Sequence, residues 1–307
     1  MSDVMNIFNR SAVRAHRDRA APRFRDYDFL FSECADRLGD RLLDMTRTFP
    51  VALDLGCHGG DVAHFIPPRS AVETLINCDL SPAMAHVARS SNRRPTVCGD
   101  EEFLPFKEQS LDLVTSNLSL HWVNDLPGAM AQIRRALKPD GLFLASLLGG
   151  ETLKELRDAL SAAEMEVESG FSPRTSPFAD VKDAGNLLSR AGFALPVADT
   201  EVITVSYGDP LKLMTDLRGM GEANATALRR TTFSRRATLM RAAEIYMEKY
   251  AGDDGRVPAT FEIIFLTAWV PHESQQKPLQ PGSGKVSLSN VFMEDDNVFM
   301  EDDEEAN

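Results

Sequence analysis

Between Val51 and Leu148, short apolar runs alternate with segments of helical periodicity, and that alternation commits the chain to βαβ units around a parallel sheet. The runs expected as strands are VALDL (51–55), TLINCD (74–79), PTVCG (95–99), LDLVTS (111–116) and GLFLASL (141–147). Ser81 followed by Pro82 starts a helix, because a hydroxyl can cap the first turn and proline fits where no N–H is needed. Leu126, Met130, Ile133 and Leu137 recur at helical steps before KPDG (138–141), which reads as a turn. Apolar stripes at Leu153, Leu156, Leu160, Ala163 and Val167, and at Met240, Ala243, Met247 and Tyr250, predict two longer helices. Two later strands, 198–207 and 259–270, raise the expected count to seven and flank the helices of 209–250. The expected organisation is a helical segment over 1–47, a mostly parallel α/β domain over 48–288 with a helical insertion at about 209–250, and an acidic disordered tail over 289–307. That tail holds NVFMEDD twice.

The net charge of −13 bounds the function only after this tail is set aside. Eight acids and no Lys or Arg lie from Asn290 onward, so the rest of the chain is only mildly acidic. Such a balance argues against nucleic-acid binding by phosphate neutralisation. Arg10, Arg14, Arg17, Arg19, Arg23 and Arg25, interspersed with acids, read as a solvated helix face rather than a targeting peptide. No apolar run reaches the roughly 20 residues that span a bilayer. Cys34, Cys57, Cys78 and Cys98 show no metal-ligand spacing and read as reduced thiols, the last three in or beside buried strands. A soluble protein of the bacterial cytoplasm, or alternatively of a mitochondrial matrix and there in contact with a membrane, is expected, with no bound metal.

Sheets of this kind bind ligands at the carboxyl ends of their strands. The first strand ends in Asp54 and runs into Gly56-Cys57-His58-Gly59-Gly60, which is not the G-x-G-x-x-G of a dinucleotide fold. The second ends in Asp79, at a distance suited to a carboxylate that accepts ribose hydroxyls. The third ends in Asp100-Glu101, suited to an exocyclic amine, and the fourth in Ser116-Asn117-Leu118-Ser119-Leu120-His121-Trp122.

These strand ends, with GDEEFLPF and SNLSLHWVNDLPGAMAQIRRALKPDGLFLASLLGG, resemble the class I S-adenosylmethionine-dependent methyltransferases, a Rossmann-like fold with a helical lid. MNIFNR, GGETLKELR, GFSPRTSPF, LRGMGEAN, VPATFEIIF and HESQ extend the likeness to the methyltransferase-like assembly factors of respiratory complex I. A more distant similarity is to the methyltransferase that caps malonyl carrier protein in biotin synthesis. The resemblance implies S-adenosylmethionine as cofactor and a protein substrate, a complex I subunit. Methyl transfer is the first implied reaction. Hydroxylation of an arginine and a non-catalytic assembly role are the alternatives. Carried over, Gly56 and Gly60 admit the methionine end, Asp54 lies beneath its amine, Asp79 holds the ribose and Leu80 lies against the adenine. Asp100 and Glu101 flank the adenine amine, and Ser116 and Asn117 line the wall near the sulfonium. His121 is the candidate general base because its ordinary pKa lies near neutrality, while Trp122 and Arg218 are candidate substrate contacts.

His58 stands where the family's motif has a glycine, and the expectation is that its side chain points to solvent and the loop still works, the alternative being that methyl transfer is lost or changed. The H-R-D at 16–18 lacks the context of a kinase or iron site and reads as chance in a charged helix. His64, His86 and the His272-Glu273 pair read as surface or boundary residues, and Trp269 as packing.

Overall fold

Parallel strands with both faces covered by crossover helices are the arrangement that buries near-continuous apolar runs, and this is what the computed structural model, describing residues 6–276, contains. The strands are β1 (Val51–Leu55), β2 (Thr74–Asp79), β3 (Thr96–Cys98), β4 (Leu111–Asn117), β5 (Leu137–Leu148), β6 (Ala194–Tyr207) and β7 (Val257–Trp269). They form one sheet in the order β3-β2-β1-β4-β5-β7-β6. β1 to β5 pair in parallel and β7 runs antiparallel between β5 and β6. The chain winds outward from β1 to β3, then returns to β4 beside β1, so the topological switch point lies between β1 and β4.

Helices α1 (Arg10–Ala20) and α2 (Phe29–Leu43) precede the sheet. They are followed by α3 (Val62–Phe65), α4 (Pro82–Asn92), α5 (Leu126–Ala136), α6 (Lys154–Glu168), α7 (Val181–Arg190), α8 (Pro210–Met220) and α9 (Arg236–Tyr250). Ser81 caps α4, its hydroxyl accepting from Met84 N at 3.0 Å, and Asp125 caps α5 through Gly128 N at 2.9 Å. One face of the sheet packs on Leu38 and Leu42 of α2, Leu156 and Leu160 of α6 and Tyr246 of α9. The other packs on Met130 and Ile133 of α5 and Leu188 of α7. Helices α8 and α9 lie between β6 and β7. The tail expected over 289–307 lies outside the described residues.

Three local expectations are corrected. KPDG is not a free turn: β5 begins at Leu137, which pairs with Leu111, and a register shift with Asp140 at φ +63° absorbs the kink inside the strand. In the predicted stripe of α9, Ala243 is buried and Met247 and Tyr250 pack against the core, but Met240 is exposed, and Thr238, Ala242, Ile245 and Tyr246 are buried beside it. The Tyr246 hydroxyl donates to Pro258 O at 2.8 Å, tying α9 to β7. Cys34, Cys57 and Cys78 are buried, but Cys98 is exposed because β3 is an edge strand.

Phe143 of β5 is fully buried and stacks on Phe193 with ring centroids 5.6 Å apart. Phe143→Ala is expected to cost about 3–5 kcal/mol, read as a lower midpoint in chemical denaturation with the slope unchanged.

Candidate active site

The turn after β1 is built by backbone that only a few residues tolerate: Gly56 at φ +68°, His58 at +45° and Gly60 at +80°. It closes on β2, with Gly56 N and Cys57 N both donating to Cys78 O at 2.7 and 3.0 Å. His58 N then donates to Asp79 Oδ2 at 3.0 Å, locking the loop to the end of the second strand. A side chain built on Gly56 would lie 2.0 Å from Ser119 Oγ, so only glycine lets the loop after β4 come this close.

The expectation that His58 points to solvent is wrong. The residue is 1% exposed, and its ring lies 4.6 Å from that of Phe31 and stacks on Phe24 at 6.0 Å. Nε2 lies 3.1 Å from Leu118 O, so it carries the proton and donates. Burial, assisted by Arg17, pushes the imidazole pKa down to about 3, leaving it neutral. Solvent was the wrong prediction because the short arm between α1 and α2 lays Phe24 over the turn.

The expectation of a solvated arginine face holds for Arg14, Arg19, Arg23 and Arg25, which are exposed, but fails at Arg17 and in part at Arg10. Arg17 is 1% exposed. Its Nη1 lies 3.4 Å from both Asp79 oxygens and 3.1 Å from Glu101 Oε1, and Nη2 donates to Ser119 Oγ at 2.8 Å. Arg10 donates to Asp100 Oδ1 at 2.6 Å and also to Glu101 Oε2. Ser119 Oγ donates in turn to Glu101 Oε1 at 2.5 Å. The buried residues of α1 include Val13, Arg17 and Ala20, a helical stripe in which Arg17 takes a core position. That spacing was the available signal for a buried cation. His16 and Asp18 are structural neighbours of this pair: His16 Nδ1 lies 3.1 Å from Ala223 O, and Asp18 accepts from Ser81 Oγ at 2.5 Å.

The anticipated carboxylates differ sharply in environment. Burial would push Glu101 up, but Arg17, Arg10 and the Ser119 hydroxyl overcome it and hold the carboxyl at about 2. Asp79 is pushed above its ordinary value, burial outweighing Arg17 and the two backbone donors, His58 N and Ser81 N. Asp54 is also fully buried and has only Thr115 Oγ1, at 3.3 Å, as a partner to Oδ1. Burial, then Asp61 and Asp79, push it from 3.8 to about 8. Its Oδ2, and the buried Ser116 Oγ on the adjacent strand, have no hydrogen-bond partner among the described residues. A buried acceptor and a hydroxyl left unmet in this way suit a ligand ammonium.

The remaining expected residues are distributed around this centre. Asn117 donates to Phe31 O at 2.8 Å and accepts from Ser146 Oγ at 2.7 Å, so its amide ties β4 to α2 and β5. Leu80 packs with Phe8, Val13 and Trp122. Gly60 packs against α4 and its carbonyl accepts from Asn92 Nδ2 at 3.2 Å. Trp122 and Arg218 line a cavity of about 560 Å³. His121 Nε2 and Trp122 Nε1 both donate to Glu222 Oε2 at 3.0 Å. Nothing in the sequence marks Glu222, and Arg10, Arg17 and Ser119 read there only as a solvated face and part of a strand end. His64 and His86 are exposed.

Two outcomes follow from these charges. Arg17→Met leaves Asp79 buried without its cation and Glu101 with Arg10 alone, and is expected to cost about 3–5 kcal/mol in urea unfolding. Because the folded protein raises the pKa of Asp54, that residue's contribution to stability is fully present below pH 3.8 and lost as pH rises toward about 8. Asp54→Asn should flatten the fall in melting temperature between pH 5 and about 8, whereas an unchanged slope would show that Asp54 does not carry it.

The family comparisons agree with this geometry. Residues 53–145 match the methyltransferase domain family. The chain is 46% identical over 291 residues to "Arginine-hydroxylase NDUFAF5, mitochondrial" of Danio rerio, covering 94% of this chain and 90% of that protein. It is 36% identical over 276 residues to a malonyl-[acyl-carrier protein] O-methyltransferase of Methylovorus sp., covering 86% of this chain and 90% of the relative. Among solved structures, the YcgJ protein of Bacillus subtilis superposes with a TM-score of 0.54 at 17% identity, over 76% of this chain and 98% of that one, a likeness of fold. The chain therefore belongs to the methyltransferase-domain family that includes the mitochondrial NDUFAF5 proteins.

Proposed function

We propose that the protein binds S-adenosylmethionine in the crevice between β1 and β4 and transfers its methyl group to a side chain of a respiratory complex I subunit. The observation that carries this reading is the pair of buried carboxylates at adjacent strand ends, Asp54 with an unmet oxygen and Asp79 backed by Arg17. Asp54 and Ser116 would take the cofactor's amine, Asp79 its ribose hydroxyls, and Leu80, Asp100 and Glu101 its base, with Gly56 and Gly60 giving close backbone approach. Accommodating the cofactor means exchanging the Arg17–Asp79 and Ser119–Gly56 contacts for contacts to the ligand. When bound, the sulfonium supplies an electrophilic methyl. Transfer then depends mainly on holding an acceptor in line, the task assigned to the cavity walls around Trp122. His121, oriented by Glu222, is the group placed to take a proton.

A second reading, hydroxylation of an arginine, is favoured by the name arginine-hydroxylase borne by the NDUFAF5 relatives of Danio rerio and Homo sapiens. Those relatives are also named as mitochondrial. The Methylovorus relative is a bacterial protein, which favours a bacterial setting. No helix among the described residues is long and apolar enough to cross a membrane.

Calorimetry should show saturable binding of S-adenosylmethionine and of its demethylated product, and Asp79→Ala should abolish both. Heat from neither ligand in the unaltered protein would overturn the reading. Mass spectrometry of complex I subunits, with and without the gene, should then show a gain of CH₂ on one subunit, while a gain of oxygen would select the second reading.

A further inference from the structure

A second cavity, of about 600 Å³, lies on the far side of one wall of the first: the stretch Arg174-Thr175-Ser176 lines both. Its volume is that of a pocket for a small organic ligand. Three segments, 6–7, 171–177 and 226–228, enclose it together with Arg157 and Ser161 of α6. They are held in place by the protein itself. Ala227 N donates to Ile7 O at 2.8 Å, and Asn224 Nδ2 donates to Pro173 O at 2.7 Å.

No acid lines this cavity among the described residues. Arg174 is neutralised by Glu164 and Glu168, which leaves Arg157 as the uncompensated charge. Its Nη2 donates to Gly150 O at 2.9 Å and to Thr152 O at 2.8 Å, fixing the guanidinium, while Nε is buried without a partner. No carboxylate among the described residues meets it. Ser176 is 6% exposed, and its Oγ likewise has no partner among the described residues. A fixed cation and a buried, unmet hydroxyl in one cavity suit an oxyanion.

The remaining walls are apolar and wet. Ile7, Phe171 and Leu228 line the same cavity and are 42%, 71% and 86% exposed, a grouping of bare apolar side chains that marks a binding surface. An inorganic anion would engage Arg157 and leave these walls in water, whereas a plain hydrocarbon would cover the walls and bury Arg157 without a counter-charge. One uncompensated cation matches one negative charge, which selects a carboxylate over a phosphate dianion.

We propose that this cavity is a second ligand site, separate from the strand-end crevice, and that it takes a small monocarboxylate with an apolar body. The carboxylate accepts from Arg157 and Ser176, and the body lies against Phe171 and Leu228. The assignment does not depend on which cofactor, if any, the crevice holds.

Calorimetry of the full chain with octanoate, kept below its micelle concentration, should give a saturable isotherm. Octanol, which has the body without the charge, and acetate, which has the charge without the body, should each bind about tenfold or more weakly. Leu228→Asp changes an exposed side chain, so the fold should survive, yet it removes apolar wall and adds a like charge. It should weaken octanoate by about tenfold or more and leave the response to S-adenosylhomocysteine as in the parent. Arg157→Gln should abolish the preference for octanoate over octanol. The proposal is overturned if octanoate gives no saturable heat, if octanol binds as well, or if Leu228→Asp binds octanoate as the parent does. Saturation by an N-acetylated Leu-Glu-Leu amide with none by octanoate would also overturn it, in favour of a protein partner. Should Arg157→Gln fail to fold, the octanol comparison and Leu228→Asp decide without it. Octanoate binding that meets these conditions in a protein that binds no S-adenosylhomocysteine would sink the cofactor reading and leave this one standing.

Discussion

A single guanidinium holds the working end of this sheet together. Parallel strands deliver Asp79 to the crevice beside the switch point, and the segment after β3 adds Glu101 at full burial. Two carboxylates in such a place repel each other and lose their hydration. Arg17 contacts both and also fixes Ser119, which covers Gly56. Replacing such a network by apolar groups is often harmless to stability, whereas removing one partner is not.

The same contacts explain why α1 belongs to the site although it precedes the sheet. Its Asn9 cap and the backbone bond from Asn9 N to Ala225 O pin its start beside the loop after α8. Its buried stripe then carries Arg17 over the strand ends. The arm following α1 places Phe24 on His58, and α2 places Phe31 on the same ring. A histidine in a glycine position is thereby converted from a loop irregularity into a packed, neutral wall of the crevice.

Much of the sheet was legible in the sequence because its strands obey local rules. VALDL and TLINCD are bounded by turn residues and became strands with the predicted ends, and Asp54 and Asp79 fall at those ends for the same reason. What could not be read was the partner of each polar group. His58, Arg17 and Glu222 are separated by long stretches of chain from the groups they meet, and local pattern favours solvent for all three. Only Arg17 had a detectable local signature, the Val13-Arg17-Ala20 stripe. In α9 the apolar period is obeyed by Ala243, Met247 and Tyr250 and fails at Met240, which is exposed.

The strand-end carboxylates as the seat of a nucleoside cofactor are tested most directly by hydrogen–deuterium exchange with and without saturating S-adenosylhomocysteine. The account predicts altered exchange in residues 56–60, in 79–81 and along α1, since the ligand must meet Asp54 and Asp79 and renegotiate Arg17. Unchanged exchange in all three segments, with protection elsewhere or nowhere, would contradict it.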